Sequence, residues 1–349
     1  MRTLALLIAI TIATLATIAT AHDGTHPHEH AAAPAPPTPT IESATQVGIA
    51  PLAFEPVPGW CALPDERPLG NTHGGIVIDR AGRIYYNTDT KRAIMVHAPD
   101  GRFLKTIAPD FPGIHGMVLR AEGDEEFIYA AHLPGRQVLK LRLDGTVVWR
   151  LGVPVESGKY DDDPASYRPT AVAVAANGDV YVADGYGRNW IHHYTKERVY
   201  VRSFGGPGTT PGQFRTCHGL AIDTRGSTPR LLVCDRENRR LQRFELDGTF
   251  VDVAATNLRR PCGVSFDGPR IAVAELEGRV TILGADFEVL THLGDNPDRG
   301  QWANNGVAAA AWKDGVFTAP HACCFDEAGN LYVMDWNATG RISKLNRRR

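Results

Sequence analysis

Three histidines occupy the same position in alternate repeats of the sequence, and each opens a short apolar run. They are His115 in HGMVL, His218 in HGLAID and His321 in HACCFD. If six such repeats close into a ring, alternate repeats lie about 120° apart around its axis. Three neutral imidazoles that converge on one point and leave a fourth position open form the ligand set of a catalytic zinc site. The spacing therefore predicts a metal site made of these three side chains.

A structural interpretation of these histidines remains open, because a histidine at a strand start often only hydrogen-bonds its neighbours, and His-Gly can belong to a repeat consensus. The equivalent position of the other repeats holds His73, Thr170 and Cys262. His73 breaks the threefold pattern, since its repeat neighbours those of His115 and His321. We interpret His73 as a residue that supports the metal ligands or faces the substrate.

The segments that begin at residues 73, 115, 169, 218, 262 and 321 align with one another. Each shows an apolar strand, a Gly/Asp turn, a second strand that ends near an Asp, a third strand and, in most, a turn such as PDG followed by a fourth. Four short strands at a period of roughly 40 to 60 residues are typical of a β-propeller. We therefore predict an all-β chain in which residues 46–349 form a six-bladed β-propeller of the NHL type.

The last repeat ends after its third strand, RISKL, and lacks a fourth. The segment around Gln46 to Phe54, before the first repeat, could supply the missing strand. The ring would then close by pairing of the N- and C-terminal segments, which removes exposed sheet edges.

Two further residues are candidates for chemistry because of where the second strands end. Adjacent strands of a blade run antiparallel, so the start of the first strand and the end of the second lie at the same end of the propeller. Tyr186 in ADGYG and Arg236 in CDREN follow second strands. We expect both side chains at the channel mouth that carries the histidines, although each alone is more often a packed aromatic or a salt-bridging residue.

This constellation resembles the peptidyl-α-hydroxyglycine α-amidating lyase family over roughly residues 70 to 346. The best segments are HGMVL, RPTAVAV…VYVADGYG, HGLAID…CDRENRRLQRF and PHACCFDEAGNLYVMD. The resemblance implies zinc on His115, His218 and His321, a catalytic Tyr186 and an active-site Arg236. It also implies a zinc-dependent carbon–nitrogen lyase that cleaves an α-hydroxyglycine-type amide, from a small molecule or a peptide, into an amide and glyoxylate.

The chain departs from the family pattern at several positions. Gly187 stands where the family has a disulfide cysteine. Ala322 replaces an Asp that helps bind a structural calcium ion, which argues against calcium here. Residues 71–73, Asn-Thr-His, stand where the family has a second arginine.

Other functions are compatible with the same pattern. A non-enzymatic NHL propeller would bind a peptide, glycan or protein partner across its mouth. A propeller lactonase is less favoured, because such enzymes hold calcium with oxygen ligands and the strand starts here offer histidines. A periplasmic copper or zinc carrier would combine the mouth histidines with a histidine-rich leader.

The N-terminal region is typical of an exported protein. Arg2 precedes the apolar run 4–18, and residues 19–21, Ala-Thr-Ala, suit cleavage, so we predict a signal peptide at 1–21 and a periplasmic or secreted protein. The run is short for a membrane span and no cysteine follows it, so we expect no membrane anchor. Residues 22–45, with four histidines (22, 26, 28 and 30) and AAAPAPPTPT, are expected to form a disordered leader, or a weak metal-scavenging tail.

The composition of the chain excludes some partners. The formal net charge of −2 over 349 residues and a pI near 6.7 argue against nucleic-acid binding. We expect a monomer. The six cysteines permit disulfides in an exported protein, but their spacing leaves the pairing open.

Overall fold

The computed structural model describes residues 41–61, 63 and 67–348. Over this part the chain forms 24 strands and four short 3-10 helices, and the strands pair as six antiparallel sheets of four strands each. The first strands of consecutive sheets contact one another, and that of the last sheet contacts that of the first, so the ring is closed. The predicted all-β, six-bladed propeller is confirmed.

The strands of the first three blades follow the chain after a short strand that lies outside them, β1 (Phe54–Val57). Blade 1 contains β2 (Thr72–Ile78), β3 (Ile84–Thr88), β4 (Ile94–His97) and β5 (Phe103–Ile107). Blade 2 contains β6 (Ile114–Glu122), β7 (Glu125–His132), β8 (Gln137–Arg142) and β9 (Val147–Leu151). Blade 3 contains β10 (Ala171–Val174), β11 (Val180–Ala183), β12 (Trp190–Tyr194) and β13 (Tyr200–Gly205).

The second half of the ring repeats this order. Blade 4 contains β14 (Cys217–Asp223), β15 (Arg230–Asp235), β16 (Arg240–Phe244) and β17 (Phe250–Ala255). Blade 5 contains β18 (Pro261–Asp267), β19 (Arg270–Glu275), β20 (Arg279–Leu283) and β21 (Val289–Leu293). Blade 6 contains β22 (Pro320–Phe325), β23 (Leu331–Asp335) and β24 (Arg341–Arg347), with β1 as its fourth strand. The 3-10 helices span Val155–Ser157, Pro164–Ser166, Arg299–Gln301 and Ala309–Ala311.

The ring closes through β1, which pairs antiparallel with β24 and places Phe54 opposite Arg347. Closure by the chain ends is confirmed, but the expected position of the closing strand, Gln46 to Phe54, is wrong for all but its last residue. Val47 instead forms an isolated bridge with Phe54, and Gly48, with φ of +76°, turns the chain between them. The segment before β1 therefore folds back on itself and cannot extend along β24.

The hydrophobic core is divided between the blade interfaces. Strand side chains alternate between the two faces of a sheet, and both faces of a blade meet a neighbouring blade, so apolar residues line each face. Between blades 1 and 2, for example, Tyr85 and Ile94 pack in one cluster with Ile128 and Leu139. Each of the other five interfaces in the described part of the chain has such a cluster.

Most of the first strands begin with a bulge. The register of β6 against β7 shifts between Ile114 and Met117, and that of β14 against β15 shifts between Cys217 and Gly219. Similar shifts occur in β2, β18 and β22. A bulge re-aims a side chain and ends regular pairing, so these strand starts can direct their second residue towards the channel.

The predicted signal peptide, residues 1–21, and most of the predicted leader, residues 22–45, lie outside the described residues. Among the residues that are described, no helix is long and apolar enough to cross a membrane.

Candidate functional site

The three predicted histidine ligands meet at the centre of the ring. The ring centroids of His115 and His218 are 4.8 Å apart, those of His115 and His321 5.0 Å, and those of His218 and His321 4.5 Å. These nearly equal distances follow from their equivalent positions in blades 2, 4 and 6. All three side chains are buried and line a cavity of about 90 Å³. The structure therefore brings together the three side chains that the repeat pattern singled out.

Two of these rings are fixed by main-chain carbonyls of the next blade. Nδ1 of His115 lies 2.7 Å from the oxygen of Thr170, and Nδ1 of His218 lies 2.8 Å from the oxygen of Cys262. A carbonyl only accepts hydrogen bonds, so each Nδ1 carries the proton and donates it. The lone pair of each ring then lies on Nε2, an arrangement that metal-binding histidines share.

The residue after each histidine decides whether this bond forms. A side-chain carbon on Gly116 would lie 2.6 Å from the oxygen of Thr170, and one on Gly219 would lie 2.4 Å from that of Cys262. Glycine thus lets the next blade's carbonyl approach the ring. The close approach explains the repeated His-Gly pair in physical terms.

Blade 6 lacks this glycine, because Ala322 follows His321. The equivalent carbonyl in blade 1, that of His73, accepts instead from the side-chain amide of Asn87. Nδ1 of His321 is buried and has no hydrogen-bond partner among the described residues. An unsatisfied buried polar atom is unusual in a folded protein, and a metal ion would satisfy this ring.

Burial also fixes the charge of the three rings. Desolvation holds the pKa of each imidazole well below the usual value for histidine, and neighbouring histidines and Arg236 reinforce the shift (His115, His218 and His321). The rings are therefore neutral at pH 7, and each offers a lone pair. Neutral imidazoles suit zinc, copper and other transition metals.

Tyr186 and Arg236 also reach this site, as their positions after second strands predicted. The hydroxyl oxygen of Tyr186 lies 3.3 Å from Nε2 of His115 and 3.1 Å from Nε2 of His218. Nη1 of Arg236 donates to the same oxygen at 3.0 Å. Burial raises the pKa of Tyr186, and the guanidinium of Arg236 opposes that shift. One phenol thus joins two candidate metal ligands to a cation.

An acidic residue that the sequence did not single out orients Arg236. Oε1 of Glu237 accepts from Nε of Arg236 at 2.9 Å and from Nη2 of Arg260 at 2.6 Å. Nε and Nη1 of Arg236 therefore face Glu237 and Tyr186, respectively, which fixes the plane of the guanidinium. Glu237 belongs to the charged DREN run of the sequence. Charged turns are common, so this run alone did not predict a role for Glu237.

His73 lies beside the three histidines and is half-buried. Its ring centroid is 4.6 Å from that of His115 and 4.9 Å from that of His321, and its Nδ1 lies 3.5 Å from a carboxylate oxygen of Asp89. This position suits a residue that supports the ligands or faces the substrate, but it is also within ligand reach. Its role stays a prediction.

Among the described residues, two sets of three have potential ligand atoms that all lie within 4.8 Å of one another. One set is His73, His115 and His321, and the other is His218, Cys262 and His321. The predicted trio is divided between them, and the hydroxyl of Tyr186 lies within hydrogen-bond distance of both His115 and His218. The repeat alignment puts Cys262 at the position that the histidines occupy in other blades, but the sequence pattern did not identify its thiol as a ligand.

Known proteins share the repeat and the fold. Residues 167–194, which include β10, β11 and Tyr186, match the NHL repeat. The chain is 27% identical over 241 residues to NHL repeat-containing protein 3 of Homo sapiens, and the match covers 65% of this chain and 68% of that protein. The chain is thus a six-bladed β-propeller with an NHL repeat.

Two solved structures have the same architecture at low sequence identity. A gluconolactonase from Xanthomonas campestris is 12% identical with a TM-score of 0.59, covering 90% of this chain and 99% of that one. Virginiamycin B lyase from Staphylococcus aureus is 13% identical with a TM-score of 0.52, covering 79% and 94%. At these identities the likeness shows the fold alone.

Proposed function

We propose that this protein is an exported, metal-dependent lyase that cleaves the carbon–nitrogen bond of an α-hydroxyglycine-type amide and releases an amide and glyoxylate. The observation that carries the proposal is the position of the Tyr186 hydroxyl, within hydrogen-bond reach of His115, His218 and Arg236. A phenol that faces neutral imidazoles and a cation can exchange a proton beside a metal site. A satisfied structural tyrosine would need only one of these contacts.

The proposed ligands are the imidazoles of His115, His218 and His321, and the orphaned Nδ1 of His321 supports this assignment. Zinc bound there would act as a Lewis acid on a substrate oxygen. Arg236, held in plane by Glu237, would pair with the substrate carboxylate or stabilise the phenolate of Tyr186.

The proton balance of the reaction can be assigned to Tyr186. Burial raises the pKa of Tyr186, so Arg236 and a bound divalent cation would have to offset that shift to give the phenolate. The phenolate then takes the proton of the substrate hydroxyl, a carbon–oxygen double bond forms, and the carbon–nitrogen bond breaks with its electron pair on nitrogen. The phenol then donates the proton to that nitrogen, which gives the amide, and the phenolate is restored. No oxidant, reductant or water is consumed, so the step needs only the substrate and this site.

A second candidate function is non-enzymatic binding of a peptide, glycan or protein partner. The first blade favours it, because residues 71–73 include no arginine for a substrate carboxylate, and Asn71 and His73 contact Asp89 instead. The similarity to NHL repeat-containing protein 3 is compatible with either function. Structural neighbours named as a lactonase and a lyase support catalysis by a propeller of this kind.

The deciding experiment measures glyoxylate release from a small α-hydroxyglycine amide with zinc-loaded protein. His218→Ala should abolish release and lower bound zinc, because it removes a ligand and the partner of Tyr186. His193→Gln is the matched control. His193 lies on β12, away from the site, and its buried ring contacts a carboxylate oxygen of Asp179. Absence of release from zinc-loaded wild type would refute the lyase, and no bound metal would favour the binding module.

A further inference from the structure

We infer that Cys262 is a thiolate ligand at this metal site, so that the site selects metals with an affinity for sulfur. The inference rests on the proposed function, because Cys262 shares His218 and His321 with the proposed zinc ligands. It goes beyond the three-histidine site by adding a donor of a different chemical class from blade 5.

The geometry places the thiol among the histidines. Sγ of Cys262 and one ring nitrogen each of His218 and His321 lie within 4.8 Å of one another, and all three side chains are buried. A metal ion at ordinary bond lengths of about 2.0 to 2.3 Å needs ligand atoms within roughly 4 Å of each other. The observed spacing of up to 4.8 Å is therefore slightly wider than a bound metal requires, and the three side chains would have to draw together on binding.

The thiol of Cys262 lies near Arg236, which reaches Nε2 of His218 through the hydroxyl of Tyr186. Nδ1 of His218 is occupied by the carbonyl of Cys262, so only Nε2 can bind a metal. Arg236 donates to the hydroxyl of Tyr186, which contacts that Nε2, and the same guanidinium acts on the thiol of Cys262. Thiol, guanidinium, phenol and Nε2 therefore share one small space.

The state of His321 also points to a ligand here. His321 belongs to the same set and is 2% exposed, and its Nδ1 has no hydrogen-bond partner. The two other histidines have their Nδ1 atoms satisfied by carbonyls, but Ala322 and the Asn87 contact leave this one without an acceptor. Its ring is thus free to present either nitrogen to a metal beside the thiol.

Metal binding at Cys262 would convert the thiol into a thiolate. Burial raises the pKa of Cys262 to about 11, although Arg236 and Arg260 oppose this, so the group is a thiol at neutral pH and donates to the carbonyl of Arg260 at 3.6 Å. A bound divalent cation would break the S–H bond, form a sulfur–metal bond and release the proton to solvent. No electron is transferred.

The consequence is a change in metal preference. Thiolate with imidazole selects zinc, cadmium or copper(I), whereas magnesium, calcium and manganese prefer oxygen. With His115 as a fourth donor, His218, His321 and the thiolate would fill a tetrahedral site. A substrate oxygen must then enter as a fifth ligand or displace the sulfur, which makes Cys262 the donor that controls access to the metal.

The test uses the full chain loaded with cobalt(II), whose visible bands report coordination and whose near-ultraviolet sulfur-to-cobalt band reports a thiolate ligand. The wild type should show both the visible bands and the near-ultraviolet band, and cobalt binding should release the proton of the thiol. Cys262→Ser should keep the visible bands and lose the near-ultraviolet band. Cys61→Ser is the matched control and should keep both, because Cys61 contacts Tyr86 in blade 1 and serine preserves that bond.

The outcomes separate this inference from the proposed function. Visible bands without a near-ultraviolet band in the wild type, or a near-ultraviolet band that survives in Cys262→Ser, would overturn the thiolate and leave the histidine site intact. If Cys262→Ser does not fold, Cys262→Ala takes its place and should likewise lose the near-ultraviolet band. Failure of the wild type to bind cobalt would overturn the metal site and, with it, the proposed lyase.

Discussion

The imidazole of His218 in blade 4 donates from Nδ1 to the carbonyl oxygen of Cys262 in blade 5, at 2.8 Å. The contact links the two blades where their first strands begin, and it fixes which nitrogen of His218 faces the site. It depends on Gly219, whose lack of a side chain leaves room for that carbonyl. The geometry of the candidate metal site thus depends on a packing requirement between blades.

Gly219→Ala tests whether the site depends on this contact, since the added methyl group would lie 2.4 Å from the carbonyl oxygen of Cys262. We expect lower thermal stability and zinc affinity reduced by about 10- to 100-fold, the range for losing the hydrogen-bond partner of a metal-binding histidine. Gly263→Ala is the control, because its methyl group would meet the nearest atom at 3.4 Å. Equal zinc affinity in the two variants would show that the carbonyl contact is unimportant. Zinc affinity is measured by competition with a chelator.

Tyr186→Phe removes one oxygen and leaves the histidines in place. We expect glyoxylate release to fall by roughly 10²- to 10⁴-fold, as for loss of a general acid–base group, with unchanged zinc content. Tyr200→Phe is the control, because the hydroxyl of Tyr200 hydrogen-bonds Ser203 in blade 3. Turnover that persists in Tyr186→Phe would remove the phenol from the mechanism.

Arg236→Lys keeps the positive charge but loses the planar fork that joins Glu237 to Tyr186. We expect kcat/KM for the α-hydroxyglycine amide to fall by about 10- to 100-fold, the range for losing a hydrogen bond to a charged group. Arg239→Lys, which alters an exposed pair with Glu277, should leave kcat/KM unchanged. A similar effect of both substitutions would mean that Arg236 acts only through the general charge of the region.

Phe54→Ala tests the closing strand. Phe54 is 2% exposed and packs in one cluster with Val333 and Leu345 of blade 6. We expect the free energy of unfolding to fall by about 3 to 5 kcal/mol, as for other buried phenylalanines. Glu55→Ala, on the exposed side of the same strand, should change it by no more than about 0.5 kcal/mol. Urea titrations measure both, and a small effect of Phe54→Ala would mean that β1 is not needed to hold the ring closed.

His192→Gln should change the dependence of stability on acid pH. Burial, with a contribution from Lys159, lowers the pKa of His192 to about 3, from 6.5. The unfolded chain therefore binds more protons between these values, and the contribution of His192 to stability is lost as pH falls from about 6.5 to 3. The hydroxyl of Tyr160 contacts both His192 and Asp184. Burial raises the pKa of Asp184 to about 6, so this carboxyl group stabilises the folded protein as pH falls below about 6 and opposes the effect of His192.

The difference in unfolding free energy between wild type and His192→Gln isolates the histidine from Asp184. We expect the advantage of the wild type to shrink steadily as pH is lowered through that window. Ser203→Ala removes the hydrogen bond at Nδ1 of His192 without removing the titrating group, so it should keep the pH dependence. A pH-independent difference for His192→Gln would show that this residue does not titrate on unfolding.

The sequence was sufficient for the architecture and for the positions of the principal site residues. Six aligned repeats determine a ring, and the ring determines that His115, His218 and His321 meet. Antiparallel strands then bring Tyr186 and Arg236 to the same mouth. These are consequences of topology, which repeat spacing encodes directly.

Other features depend on distances that spacing does not encode. The closing strand lies at Phe54–Val57 because the turn at Gly48 folds the preceding segment back onto Phe54. The missing partner of His321 depends on one methyl group of Ala322 and on a competing amide from Asn87. The role of Glu237 depends on the plane of a guanidinium group. Such details are set by packing between repeats.

The pairing of β1 with β24 also determines when the ring can form during synthesis. β1 is among the first segments of the propeller to leave the ribosome, and its partner is among the last. Five blades have all their strands before the sixth can be completed, so β1 remains an unpaired strand until β24 has been synthesised. Contacts this distant along the chain form slowly, and closure of the ring should therefore be a late event in the folding of the propeller.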